Sequence, residues 1–156
     1  MRQPRVFHLI QLAYSALFRA ADRALQANVG ITASQQAVLF VLMQQDGAPI
    51  TAIAEQLRMG KSSLTGLIDR MSAKGLVTRR QSPADARSYE VFIEDAGRQL
   101  VHATLASTKK INASLLKPFS NEECAVIERF LKHVSENAEE IVISQTASLL
   151  RERRVS

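Results

Sequence analysis

Residues Ala54 to Arg87 constrain the chain most, because their pattern asks for one succession: helix, tight turn, second helix, two-stranded ribbon. Within the second helix, Lys61 to Lys74, the residues Leu64, Leu67, Ile68 and Met71 fall at i, i+3, i+4 and i+7. They form one apolar stripe that must face a core. The opposite face carries Ser62, Ser63, Thr65, Gly66, Asp69 and Arg70, which are small or hydrogen-bonding and leave little bulk. Such a surface can enter a major groove, where short hydroxyls and an arginine reach base edges and phosphates. An ordinary amphipathic surface helix has the same pattern, so the surroundings must decide.

Charge decides it. Between Arg58 and Arg87 the basic residues Arg58, Lys61, Arg70, Lys74, Arg79, Arg80 and Arg87 stand against Asp69 and Asp85, a local net of +5. The whole chain is also +5, so the remainder is neutral and the excess sits on one short segment. Basic charge confined to one element is the footprint of a polyanion site. A merely solvated face more often mixes signs.

The totals narrow the class. At 156 residues the chain suits one compact domain with helical extensions, and 46% hydrophobic content can fill a core. Only 5% of residues are aromatic and none is Trp, so that core is expected to be aliphatic. One cysteine excludes an intramolecular disulfide framework. No apolar run approaches the roughly 18 residues of a membrane span. Gln11, Arg19 and Arg23 interrupt the N-terminal hydrophobic stretch, which argues against a signal peptide and for a cytoplasmic protein.

In order, residues 5 to 27 read as a long helix. Phe7, Tyr14, Phe18 and Leu25 share a face, widened by Val6, Ile10, Ala13, Leu17 and Ala21, more than one contact surface requires. Asn28 and Gly30 break it. Thr32 and Gln35 have capping-box spacing for a helix from about Ser34 to Gln45, with Val38, Leu39, Leu42 and Met43 inward. Asp46-Gly47-Ala48-Pro49 is expected to be a turn. A short helix, Ala52 to Leu57, precedes the turn Arg58-Met59-Gly60, and Gly75 is expected to end the helix after it. Strands Leu76 to Arg80 and Ser88 to Ile93 flank the tip Ser82 to Ala86, whose length and arginines suit a wing on a phosphate backbone or minor groove. A helix from Asp95 to about Leu116 ends at Lys117-Pro118. Ser120 and Glu123 then cap a last helix to about Leu150, where Ile127, Leu131, Val134, Ala138 and Ile141 recur as a heptad seam. Long apolar faces at both ends of a small domain point to a homodimer rather than an intramolecular cap.

These residues together resemble the MarR family of bacterial winged-helix regulators. The resemblance rests on Ala54-Glu55 with Leu57, Lys61 to Thr65, Leu67 to Arg70, Lys74 to Val77 with Arg79, the wing Asp85 and Arg87, and Asp95 to Arg98; it spans Ile31 to Leu100. It implies a mainly α fold with a β wing: a winged helix-turn-helix over 31–94, an N-terminal dimerisation helix over 1–30 and C-terminal dimerisation helices over 95–156. It further implies a homodimeric regulator, a repressor by expectation, on an inverted-repeat operator with half-sites about one DNA turn apart. Lys61, Ser62, Ser63 and Thr65 would face bases and phosphates. Arg70 would anchor the helix, Arg80 would contact DNA, and Arg87 would probe the minor groove, buttressed by Asp85. A small aromatic or phenolic effector would control release from a crevice lined in part by the first helix. Gly66 and Ala86 stand where the family often has basic residues, so operator preference or affinity can differ.

Other functions have less support. No nucleophile–base pair, phosphate-cradling glycine loop or metal constellation indicates an enzyme, and no cofactor is expected. Cys124, in the first turn of the last helix, gives an alternative redox-sensing reading. His8, His102 and His133 lack ligand spacing and read as structural, with no metal expected. A winged module used for protein contacts would leave the localised charge unexplained.

Overall fold

The computed structural model describes residues 4–83 and 87–152, with the side chains of the last helix described to residue 144. Six helices and three short strands follow in the order α1 (Val6–Val29), α2 (Ala33–Gln44), β1 (Ala48–Pro49), α3 (Ile50–Gln56), α4 (Lys61–Ala73), β2 (Val77–Gln81), β3 (Tyr89–Ile93), α5 (Asp95–Leu116), α6 (Asn121–Glu152). The chain divides into two units, residues 1–106 and 107–156. The expected tip residues Ala84, Asp85 and Ala86 lie outside the described residues.

The first unit is built on α2, α3 and α4. Val38, Leu39, Leu42, Ile53, Leu64, Ile68, Met71 and Val91 are wholly inaccessible, an aliphatic core as the composition requires. Burying each such side chain is worth about 1.5–3 kcal/mol. The α4 stripe is buried at all four expected positions, Leu64, Leu67, Ile68 and Met71. The helix ends as Gly75 suggests: at φ +67° this residue lets its own N–H reach Ser72 and the Leu76 N–H reach Met71. Thr32 and Gln35 form the expected capping box at α2, with reciprocal bonds of 3.2 and 2.9 Å. Asp22 of α1 adds a third partner there, accepting the Ala33 N–H at 2.6 Å.

Two expectations fail in this unit. Met43 is 37% exposed, whereas Gln35 and Val41 are buried. The buried arc of α2 centres on Val38 and Leu42, and Met43 falls beyond its edge; Gln35 tolerates burial because its amide oxygen is spent in the capping box. The second correction concerns Ala48–Pro49, which is a strand rather than only a turn. It pairs antiparallel with β3 (Ala48 opposite Val91, Pro49 opposite Glu90), giving a sheet ordered β1-β3-β2. Gly47 makes this possible: its φ of +77° turns the chain so that its N–H meets the Val91 carbonyl at 3.0 Å. Proline, with no N–H to give, suits this edge.

The start of α5 locks onto the base of the ribbon. A Cβ on Gly97 would stand 2.4 Å from the Leu76 carbonyl oxygen, so only glycine allows the approach. Helix α1 has no fully buried residue; Phe7 and Tyr14 stay 78% and 63% exposed, while Leu25 and Val29 pack on the core.

In the second unit, Ser120 and Glu123 cap α6 as expected, with bonds of 2.8 and 3.3 Å. Among the described seam residues Ile127 and Val134 are half-buried, and Leu131, Ala138 and Ile141 are exposed. No described helix is long and apolar enough to cross a membrane.

Candidate nucleic-acid interface

The outer face of α4 presents Lys61, Ser62, Ser63 and Arg70 to solvent, with Thr65 half-buried between them. The Thr65 hydroxyl donates to the Lys61 carbonyl at 2.9 Å, which holds its rotamer and leaves its oxygen able to accept. Gly66 leaves the middle of this face low. A Cβ there would lie 3.5 Å from Arg70 Nη1, so the arginine folds back along the face instead of projecting from the end of the helix.

The ribbon stands beside this face and is tied to it. Arg79 of β2 donates to Asp69 of α4 at 2.6 Å, and its guanidinium lies 4.6 Å from the centre of the Tyr89 ring. One cation is thus gripped by α4 on one side and β3 on the other. Between these elements lies a cleft of about 520 Å3. Pro49, Ile50 and Thr51 line it from α3 and the strand before it, Lys61, Ser62 and Thr65 from α4, and Arg79, Arg87, Ser88 and Tyr89 from the ribbon. Three cations and several hydroxyls converge there, and among the described residues no carboxylate lines it. Such a surface offers charge to phosphates and hydrogen-bonding groups to bases.

Of the residues singled out in the sequence, Lys61, Ser62, Thr65 and Arg87 therefore meet at one cleft. Ser63 and Arg70 share the α4 face outside its lining. Arg80 is placed apart: successive strand residues point to opposite faces, and Arg80 stacks 4.5 Å from the Phe92 ring while Arg79 stacks on Tyr89. Asp85 lies outside the described residues.

Two supporting pairs were not visible in the sequence pattern. The first is Asp69 with Arg79. The second is Asp46 with Arg98, where one carboxylate oxygen of Asp46 also accepts N–H bonds from Ile93 at 2.9 Å and Gly47 at 3.1 Å. Desolvation pushes the Asp46 carboxyl up, but the Ile93 amide, the Arg98 hydrogen bond and charge, and the Gly47 amide outweigh it and hold the group below its ordinary value. This knot joins the end of α2 to the foot of the ribbon and the start of α5. No group of three His, Cys, Asp or Glu that could hold a metal occurs among the described residues.

A buried helix pair with a short turn, followed by a basic antiparallel ribbon at its side, defines a winged helix-turn-helix DNA-binding fold. Residues 31–89 match the MarR family model. The regulator TtmR of Methylorubrum extorquens is 35% identical over 83 residues, 53% of this chain and 43% of its own length. The repressor MdtR of Bacillus subtilis is 29% identical over 117 residues, 73% of this chain and 76% of its own. Among solved structures, the Staphylococcus aureus MepR–DNA complex aligns with a TM-score of 0.80 over 87% of this chain and 99% of that one, at 22% identity. Bordetella bronchiseptica BpsR, whose DNA binding is regulated by 6-hydroxynicotinic acid, aligns at 0.74 over 85% and 99%, with 25% identity. Over residues 31–89 the chain is thus similar to the MarR family of winged-helix transcriptional regulators. These are regulators and not enzymes.

Proposed function

We propose that the chain is a sequence-specific repressor that binds an inverted-repeat operator as a cytoplasmic homodimer and releases it when a small aromatic acid binds. The observation that carries the DNA part is the convergence of Lys61, Arg79 and Arg87 with Ser62 and Thr65 on one cleft. In this reading Lys61, Ser62, Ser63, Thr65 and Arg70 meet the major groove, and Arg87, supported by Asp85, meets the minor groove. Arg80 takes a backbone contact from the far face of the ribbon.

Dimerisation would use residues 1–30 and 95–156, leaving 31–94 to the DNA. Its support is the apolar surface each end leaves open. Phe7, Leu9, Leu12 and Tyr14 are more than half exposed on α1, as are Val126, Leu131 and Ile143 on α6. Monomeric proteins seldom leave contiguous apolar faces uncovered. The effector is argued by analogy with BpsR and its nicotinic acid derivative. Such a ligand works by favouring a lobe spacing that fits DNA poorly.

Fluorescence anisotropy across a salt series tests the reading, comparing the DNA upstream of the chain's own gene with a scrambled duplex. The expected result is operator binding tighter by at least about 1,000-fold. Equal binding to both sequences would remove the self-regulating repressor, and light scattering at one chain mass would remove the dimer.

A further inference from the structure

Arg58 ends α3 in a backbone conformation that its side chain opposes. Its φ of +52° is the one left-handed value among described non-glycine residues; Gly30, Gly47 and Gly75 hold the other positive values. The hydrogen bonds around it, Arg58 N–H to Glu55 at 3.2 Å and Met59 N–H to Ala54 at 2.9 Å, form the helix-ending pattern in which glycine costs least. Folding alone would favour glycine at this position. Yet the arginine is exposed and, among the described residues, its guanidinium has no hydrogen bond or ion pair.

Its location supplies a reason. Arg58, Met59 and Lys61 line a concavity of about 380 Å3 together with Thr51, Ala54 and Glu55. Lys61 also lines the larger cleft that holds Arg79 and Arg87. Cations therefore continue from the ribbon across the start of α4 to the turn, with Glu55 also in the lining of the concavity. A polyanion seated against α4 would run along that line.

Resting on the DNA-binding reading above, we propose that Arg58 is a further contact to the phosphodiester backbone of duplex DNA, and that the strained backbone is retained for this contact. It is a contact without sequence information, made from the turn.

Three variants separate charge from strain. Arg58→Gly removes both, Arg58→Ala removes the charge alone, and Arg58→Lys keeps both. On operator and scrambled duplexes alike, the Gly and Ala variants are expected to bind about five- to tenfold more weakly at 0.1 M salt, with a salt slope lowered by about 0.9 per protomer; the Lys variant keeps the slope. Arg58→Gly should also melt above wild type, with Arg58→Ala close to it. Unchanged slopes in both charge-removing variants would overturn the contact while leaving the DNA-binding reading intact. A loss confined to the operator would overturn its sequence-independent character, and a lower melting point for Arg58→Gly would overturn the strain argument. Failure of the wild type to bind either duplex would remove both readings.

Discussion

Asp69 and Arg79 meet at 2.6 Å across the junction of recognition helix and ribbon, and the arginine is held at the same time over Tyr89. The carboxylate thus cancels one cation of the interface while fixing where its guanidinium sits. The Arg79 side chain is 29% exposed and that of Asp69 58%, so the pair contributes at most a fraction of a kcal/mol to stability. Its larger effect is on binding.

Removing the acid by Asp69→Ala should therefore raise affinity for any DNA and lower discrimination. Local net charge increases by one, which steepens the salt slope on a scrambled duplex, while Arg79 loses the partner that aims it. Anisotropy on operator and scramble should show the two affinities drawing together, with a melting temperature within about 2 °C of wild type. A variant that discriminates as well as wild type would show that the pair has no positioning role.

Two glycines invite opposite outcomes. Gly66 sits inside α4 with ordinary contact distance to Arg70, so Gly66→Ala should stabilise the fold by up to about 1 kcal/mol through helix propensity. Gly97 is also helical, but its Cβ would meet the Leu76 carbonyl at 2.4 Å and Ile93 at 2.9 Å. Gly97→Ala should cost about 3 kcal/mol or more, because backbone must move. Urea denaturation of both variants checks the pair; destabilisation by Gly66→Ala would mean that Arg70 cannot yield.

Acid should loosen the foot of the ribbon through Asp46. Its folded carboxyl lies below the ordinary value of 3.8, so the stabilisation is complete above that value and is lost as pH falls from there through the lowered folded value. Asp46→Asn lacks this dependence. Thermal melts of the two proteins should show a gap that is constant from pH 7 to about 5 and closes toward pH 3. A gap that does not narrow between pH 5 and pH 3 would place the effect of the substitution elsewhere than in the charge.

Local features were legible in the sequence and long-range ones were not. The α4 stripe, both capping boxes and the Gly75 stop depend on residues within a few positions, where periodicity and hydrogen-bonding chemistry act directly. Ala48–Pro49 becomes a strand only because Glu90 and Val91, more than forty positions away, offer it an edge. Asp46 with Arg98 is likewise a product of the assembled fold. Met43 misleads for another reason: α2 is apolar over much of its circumference, so the pattern does not say which arc turns inward. At the interface, composition identifies the cations of the ribbon, but only the alternation of the strands sorts Arg79 from Arg80.

That sorting gives the sharpest test of the wing. Arg79 and Arg80 are neighbours in sequence with equal charge, yet one faces the cleft beside α4 with Arg87 and the other lies on Phe92 across the ribbon. A contact by Arg87 inside the groove should carry both phosphate attraction and shape or base recognition, so Arg87→Ala is expected to cost about 1–3 kcal/mol on the operator and less on a scramble. Arg80→Ala should instead weaken binding to both by the same modest factor, with a salt slope reduced by about 0.9. Measuring the two variants on both duplexes separates the faces: if Arg80→Ala costs as much specificity as Arg87→Ala, the ribbon approaches DNA by the Phe92 side, and the cleft beside α4 is not the binding surface.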